Sequence, residues 1–391
     1  MASIKKDGDS WYFIIDLPRD PVTNARRQKK KRGFKTKKDA QAAAAAMLHE
    51  LTHGTHIEES DLTFEAFSQS WLEEYSKLAG VKESTIKART YDVQVLRGYF
   101  NKIPIQDITK KMYQSAITDL KRLGRAKDTI YGIHGAGRMI FRRAREQDII
   151  KMDPTEFAKL PRTIVTVDEL ENRVDIPKYL EKEDLSLFLE TALHQGLDGD
   201  YESFLTLAYT GMRIGELAVL RETDIDFEEN TISITKTYFN SSNNTIKYKL
   251  QTPKTQKSTR VIEVDPIVTK ALKDYIAKNK EFKMLHRSTY YDKGYIFPKK
   301  EHYLGYPRPV KFFEKRMTRL LKRSGLSESL TPHSLRHTHT SLLAEASVPL
   351  EDIMDRLGHK GDKTTKNVYL HVTKTRKKEA ALKFGELMRN I

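Results

Sequence analysis

The strongest constraint on the fold is a change in hydrophobic pattern near residue 62. Before it, residues 11–17 (WYFIIDL) are rich in aromatic and β-branched side chains, which favours a strand. After it, large apolar residues recur every three or four positions and share one helical face: Phe64, Phe67, Trp71 and Tyr75. The sequence therefore predicts a β-rich segment followed by a helical bundle.

The β-rich segment covers about residues 1–55. A turn at residues 20–24 (DPVTN) separates the apolar strand from a second strand. Thr36, with Asp39 three residues later, is a capping pattern at the start of an alanine-rich helix that runs through Leu51. We expect a three-stranded antiparallel sheet backed by one helix.

The second strand is strongly basic. Nine of the thirteen residues from Arg26 to Lys38 are cationic, and the whole chain has 69 Lys and Arg against 53 Asp and Glu, a formal charge of +16. A β-ribbon can enter the major groove of double-stranded DNA, where cations meet phosphates. A solvated basic strand or a localisation tract is the alternative. The residues predicted to bind DNA here are Arg26, Arg27, Lys29, Lys30, Lys31, Arg32 and Lys35.

Further helical patterns follow at residues 83–100, 108–123 and 127–148. They are interrupted at Gly124 and end near Pro154, so they predict a helical domain over residues 62–155. Its last helix carries Arg138 and Arg142, which suit contact with DNA phosphates, or alternatively form a solvated helix face.

Residues 156–177 contain two prolines and no hydrophobic period, which indicates an interdomain linker. A third domain, residues 178–391, opens with a helix start and mixes helices with strands at about 231–238, 245–252 and 259–264. The predicted class is multidomain and mainly α with small β-sheets (α+β), with a mixed α/β third domain.

Three absences narrow the function. The chain has no cysteine, which excludes disulfides, thiolate nucleophiles and cysteine-ligated zinc. It has neither an apolar run of bilayer length nor a secretory signal at its start, so we expect a cytoplasmic protein without a membrane partner.

Four segments of the third domain carry residues that handle phosphodiesters. In the first, Gly211 provides a tight turn, Arg213 falls in the first turn of the next helix, and Glu216 lies three residues later on the same face, where it can hold the guanidinium. An ordinary helix salt bridge is the alternative. In the second, residues 252–260 are predicted to form the turn of a β-hairpin with Lys254 as a candidate general acid and Lys257 as its competitor.

The third segment places His333 and Arg336 on one helical face. Zinc binding by His333, His337 and His339 is an alternative that we do not favour, because the HExxH glutamate and all cysteines are missing. The fourth segment is Gly358-His359 followed ten residues later by Tyr369. A phenol is a poor nucleophile unless nearby cations stabilise its anion.

The order Arg213, Lys254, His333-x-x-Arg336, His359, Tyr369 resembles the signature of the tyrosine recombinases, the class of phage integrases and Xer-type resolvases. The helical domain resembles that family's core-binding domain. The basic first domain resembles the arm-binding domain of integrases from phages and conjugative transposons.

The resemblance implies that Tyr369 attacks the scissile phosphate and forms a 3′-phosphotyrosyl link. Arg213 and Arg336 would bind the nonbridging oxygens, and His359 would add a hydrogen bond. Such chemistry needs no metal or other cofactor.

Proton transfer would fall to two further residues. Lys254 would protonate the leaving oxygen, and His333 would act as acid or base. The interval from His359 to Tyr369 is one residue longer than the shortest family pattern, a difference that a loop absorbs.

The resemblance also implies a homotetramer on core-type and arm-type DNA sites. It leaves room for a directionality factor and a host DNA-bending protein. The basic amphipathic segment after Thr373 would dock on a neighbouring protomer, or alternatively pack on its own domain. Integration and excision of a mobile element is the predicted function; the alternatives are a type IB topoisomerase-like enzyme and a non-catalytic DNA-binding regulator.

Overall fold

A computed structural model describes residues 2–19, 23–53, 60–78, 80–161, 179–242, 244–252, 259–358, 365–366, 369 and 388–389. The chain divides into two compact units, Met1–Val167 and Asp168–Ile391. Both units combine helices with small antiparallel sheets, which confirms the predicted fold class. No helix in these ranges is long and apolar enough to cross a membrane.

The first unit begins with the predicted sheet and helix. Strands β1 (Ala2–Asp7), β2 (Ser10–Leu17) and β3 (Arg27–Phe34) pair antiparallel in that order, and α1 (Lys37–Thr52) follows. The hydroxyl of Thr36 accepts a hydrogen bond from the Asp39 amide at 3.1 Å and so caps α1. Residues 20–22 of the predicted turn lie outside the described residues.

One face of this sheet packs on α1. Phe13 and Ile15 on β2 are buried with Ala44 and Met47 of the helix. Because side chains alternate along a strand, the residues between them lie on the opposite face of the sheet, which α1 does not cover. The alternation therefore gives the sheet one apolar face and one open face.

The rest of the first unit is a bundle of α2 (Phe64–Lys77), α3 (Glu83–Phe100), α4 (Lys110–Arg122) and α5 (Lys127–Glu146). The predicted stripe is buried at Phe64, Phe67 and Trp71. Helix α4 starts at Lys110, two residues later than the predicted segment 108–123. The Thr109 hydroxyl caps this helix by accepting a hydrogen bond from the Met112 amide at 3.2 Å.

The start of the predicted linker is packed on this bundle. The Gln114 side chain donates to the Lys159 carbonyl at 3.1 Å and accepts from the Lys159 amide at 2.7 Å. Arg145 and Glu156 form an ion pair at 3.0 Å. Glu156 and Lys159 of the predicted linker are therefore held by the bundle, and residues 162–178 lie outside the described part of the chain.

The second unit surrounds one large core. Its described helices are α6 (Lys182–Gln195), α7 (Asp200–Thr210), α8 (Ile214–Leu217), α9 (Pro266–Leu285), α10 (Val310–Arg323), α11 (Pro332–Glu345) and α12 (Leu350–Leu357). Its described strands are β4 (Ile225–Asp226), β5 (Thr231–Ile234), β6 (Thr237–Phe239), β7 (Lys249–Gln251) and β8 (Arg260–Glu263).

The strand pairing corrects the predicted hairpin. The predicted strand 231–238 is two strands: β5 pairs with β8 in the sheet β4-β5-β8, and β6 pairs with β7. Strands β7 and β8 therefore do not pair with each other, and the chain reverses direction between β6 and β7.

The strand register explains why the hydrophobic alternation predicted a hairpin between the wrong pair of strands. Ile234 pairs with Arg260 and Thr237 pairs with Gln251, so two intervening residues on one side correspond to eight on the other. The strands on either side of residues 252–259 therefore pair with β6 and β5, and not with each other as a hairpin would require. Hydrophobic alternation predicts strands but not which of them pair.

Candidate active site

The site is organised by the turn between α7 and α8. Gly211 ends α7 with φ +60°, in the left-handed region. A Cβ atom there would lie 2.7 Å from Cδ2 of His339 and 2.7 Å from Cδ2 of Leu357. Glycine therefore allows this turn to approach both α11 and α12.

Arg213 follows this turn in extended backbone conformation and is the N-cap of α8. The sequence placed it in the first turn of that helix, and the structure places it directly before that turn. The Arg213 side chain remains 32% exposed.

Glu216 fixes Arg213 through two hydrogen bonds. Its Oε1 accepts from Nη1 of Arg213 at 3.0 Å, and its Oε2 accepts from the Arg213 backbone amide at 3.0 Å. Burial acts to raise the pKa of Glu216, but the charges of Arg260 and Arg213 outweigh it and hold that pKa below its ordinary value. The carboxylate is therefore ionised and fixes the orientation of Arg213.

Arg336 on α11 is buried and joins two parts of the site. Its Nη1 donates to the Gly211 carbonyl and its Nη2 to the Leu357 carbonyl, both at 2.6 Å. Arg336 thus ties the turn before Arg213 to the end of α12, and the two predicted arginine segments converge. His333, one turn earlier on α11, is exposed, and its ring lies 4.9 Å from that of His337 in an edge-to-face arrangement.

His339 has a structural role that the sequence did not reveal. Its Nδ1–H donates to the Ala208 carbonyl at 2.8 Å, and its Nε2 accepts from Nε of Arg356 at 3.1 Å. Burial, reinforced by the charge of Arg356, lowers the pKa of His339 to about 3. Both ring nitrogens are engaged, so His339 does not complete a zinc ligand set with His333 and His337.

Tyr369 lies at the same end of the unit. It is partly buried and packs against the cluster of Ala344, Ile353 and Leu357 on α11 and α12. The carbonyl of Leu357 is the one that binds Arg336, so the nucleophile candidate and this arginine meet the same helix end. Lys254, Lys257, His359 and the amphipathic segment apart from 388–389 lie outside the described residues.

The model of the "Phage integrase family" matches residues 178–376, just over half of the chain. The chain belongs to the phage integrase family. An "Arm DNA-binding domain" matches residues 3–51, and a "Phage integrase, N-terminal SAM-like domain" matches residues 63–121. The integrase is thus a tyrosine site-specific recombinase, since curated relatives named tyrosine recombinase also match it.

Relatives and solved structures agree with this assignment. The integrase is 31% identical over 381 residues to the Prophage ps2 probable integrase of Lactococcus lactis, covering 94% of each chain. The Tn1549 transposon integrase, solved with transposon right end DNA, has a TM-score of 0.64 at 22% identity, covering 82% of this chain and 100% of that one. A lambda integrase tetramer on a Holliday junction has a TM-score of 0.57 at 15% identity, covering 94% of each.

The basic strand of the integrase presents its cations on two faces. Lys29 and Lys31 pair with Ile15 and Phe13 and so project on the face that carries α1. Lys30 projects on the open face, with its Nζ 3.9 Å from the centroid of the Tyr12 ring. Strand alternation therefore separates residues that the sequence grouped together.

Other predicted DNA-binding arginines have acidic partners. Arg26 forms an exposed ion pair with Asp16 at 2.9 Å. On α5, Arg142 pairs with Glu146 at 3.1 Å, whereas Arg138 is exposed. A phosphate would have to compete for Arg26 and Arg142, which makes Lys30 and Arg138 better candidates for DNA contact.

Proposed function

We propose that this integrase integrates and excises a mobile element through a 3′-phosphotyrosyl intermediate formed by Tyr369. One observation carries the proposal: Arg213, Arg336 and Tyr369 belong to separate segments that converge on the Gly211 turn and the end of α12. Cations around a phenol favour its anion and the pentacovalent phosphorus that follows its attack.

The energy of the cleaved phosphodiester bond is retained in the phosphotyrosyl link. The Tyr369 oxygen forms a bond to phosphorus as the bond from phosphorus to the 5′-oxygen breaks, and Lys254 supplies the proton for the leaving 5′-hydroxyl. A 5′-hydroxyl of the partner strand then reverses these steps and releases Tyr369. No metal ion, nucleotide or other cofactor enters either step.

The remaining residues stabilise charge and move protons. Arg213 and Arg336 bind the nonbridging oxygens, Arg213 from its partly exposed position and Arg336 from its position between two carbonyls. His333 acts as acid or base, and His359 adds a hydrogen bond. Glu216 supports the site by fixing Arg213.

We further propose a homotetramer that works in the cytoplasm on two kinds of DNA site. The first domain, 1–55, would bind arm-type sites. The second, 62–155, and the third, 178–391, would bind core-type sites, joined through residues 156–177. The lambda integrase tetramer on a Holliday junction supports this assembly. A directionality factor and a DNA-bending protein would bias the direction of the reaction.

The test is a nicked suicide duplex carrying the attachment site of the element that encodes the chain. We expect a covalent protein–DNA adduct on a denaturing gel, formed in EDTA, and lost in Tyr369→Phe with DNA binding retained. Tyr303→Phe is the control, because Tyr303 is 53% exposed and its ring packs against that of Tyr306.

Each outcome is decisive. Binding without an adduct in the unchanged protein would favour a DNA-binding regulator. An adduct that only relaxes supercoiled DNA, without strand exchange between two sites, would favour a topoisomerase-like enzyme. An adduct retained in Tyr369→Phe would overturn the choice of nucleophile.

A further inference from the structure

Arg260 is a buried arginine to which the proposed mechanism gives no role. It begins β8, and its side chain is only 6% exposed. In the sequence, Arg260 is only the last residue of the predicted turn, 252–260. No local spacing could have singled it out, because the carboxylate that it binds is 44 residues away in the chain.

The Arg260 guanidinium joins two elements of the site. Its Nη2 donates to Oε2 of Glu216 at 3.0 Å, and its Nε donates to the Arg356 carbonyl at 2.8 Å. Arg356 lies in the last turn of α12, directly before Leu357, whose carbonyl binds Arg336. One side chain therefore connects the carboxylate under Arg213 to the helix end held by Arg336.

Positive side chains outnumber negative ones around Glu216. Glu216 accepts from Arg213 and from Arg260, so two guanidinium groups share one buried carboxylate. Without Arg260, the whole charge of Glu216 would act on Arg213 and reduce the positive field that Arg213 offers to a phosphate. Oε2 would also lose the donor that fixes it against β8.

We propose that Arg260 is a positioning residue for phosphate activation, acting through Glu216 on Arg213. This inference rests on the proposed function, in which Arg213 binds a nonbridging phosphate oxygen. Arg260 does not contact the DNA in this scheme. It sets the orientation and the effective charge of the residue that does.

The test uses the full chain and two suicide duplexes that differ at one atom. One carries the ordinary scissile phosphate, and the other carries a methylphosphonate, in which a methyl group replaces one nonbridging oxygen and removes the negative charge. Cleavage of the neutral methylphosphonate depends less on Arg213, because its transition state carries less negative charge for the guanidinium to stabilise. A variant that acts through Arg213 should therefore lose less activity on the methylphosphonate than on the phosphate.

We expect Arg260→Met to form the adduct on the phosphate about tenfold more slowly, less than the roughly hundred- to thousandfold cost of removing a direct donor to a developing anion, because Arg260 acts through Glu216. On the methylphosphonate its defect should be several-fold smaller, with unchanged DNA affinity. The variant should fold because Glu216 keeps Arg213 as its partner. If its thermal transition nevertheless falls below the assay temperature, Arg260→Gln replaces it, because glutamine can still donate a hydrogen bond to Glu216 but carries no charge, and it is expected to show the same difference between substrates.

Arg308→Met is the matched control. Arg308 is also buried, at 7% side-chain exposure, and it pairs with Glu301, an exposed carboxylate that water can solvate after the change. Any defect of Arg308→Met should slow adduct formation on the two duplexes by the same factor. Arg213→Ala reports on the proposed function itself, because its defect must shrink on the methylphosphonate if Arg213 binds the phosphate.

The two hypotheses fail in different ways. If Arg213→Ala is equally defective on both duplexes, the role proposed for Arg213 is wrong. If Arg213→Ala shows the difference but the Arg260 variant behaves like Arg308→Met, or cleaves at the unaltered rate, Arg260 is not a positioning residue.

Discussion

Replacing Gly211 with alanine should destabilise the second unit and inactivate the enzyme together. Gly211 has φ +60°, and an added Cβ would lie 2.7 Å from atoms of His339 and Leu357. The His339 ring cannot turn away freely, because both of its nitrogens are hydrogen-bonded. The Gly211 carbonyl that Arg336 binds would move with any relaxation.

The magnitude follows from two costs and one offset. A left-handed conformation costs a residue with a Cβ about 1–2 kcal/mol. Overpacking a rigid site adds about 1–3 kcal/mol. Reduced freedom of the unfolded chain returns about 0.4–1 kcal/mol. The net loss is about 1–5 kcal/mol, centred on about 3 kcal/mol, which for a unit of this size lowers Tm by roughly 2–20 °C.

Gly325 provides a matched control. It also follows a helix end, with φ +71°, but has no atom within 4 Å of its Cβ position. Gly325→Ala should therefore cost about 1 kcal/mol and lower Tm by roughly 2–4 °C. Calorimetry of the three proteins measures this difference, and adduct formation should survive only in Gly325→Ala. Equal losses of Tm in the two variants would refute the steric argument.

Three further predictions test other contacts. Stability should fall by about 2 kcal/mol between pH 7.5 and pH 5, because the depressed pKa of His339 lets only the unfolded chain bind the proton there; urea midpoints should show this slope, and His339→Asn should remove its part of it. Lys30→Ala should weaken binding of arm-type DNA and reduce the slope of log affinity against log salt by about one, whereas Lys29→Ala on the other face should change it little; the reverse result in anisotropy titrations would place DNA on the helix side. Asp16→Asn should leave the thermal transition almost unchanged, since its ion pair with Arg26 is exposed to solvent, and should strengthen DNA binding at low salt; unchanged or weaker binding would argue against contact by Arg26.

Much of the fold was predictable because it depends on local pattern. The apolar stripe from Phe64, with its spacing of three or four residues, and the capping pattern at Thr36 each depend on residues close to one another in the sequence. Both are present in the structure. Strand pairing was not predictable in the same way. The partners of β7 and β8 are chosen by register across an irregular hairpin, which the alternation of residues 249–263 does not encode.

The sequence by itself determined the chemistry available to this integrase: the arginines, histidines and tyrosine in family order, no cysteine, and a surplus of positive charge. The tertiary structure decided which of these groups are held, exposed or paired. It placed Arg336 between the carbonyls of Gly211 and Leu357, made His339 a buried neutral support, and joined Arg260 to Glu216. These contacts join residues 21 to 131 positions apart, and only packing of the folded chain brings such distant groups within hydrogen-bonding distance.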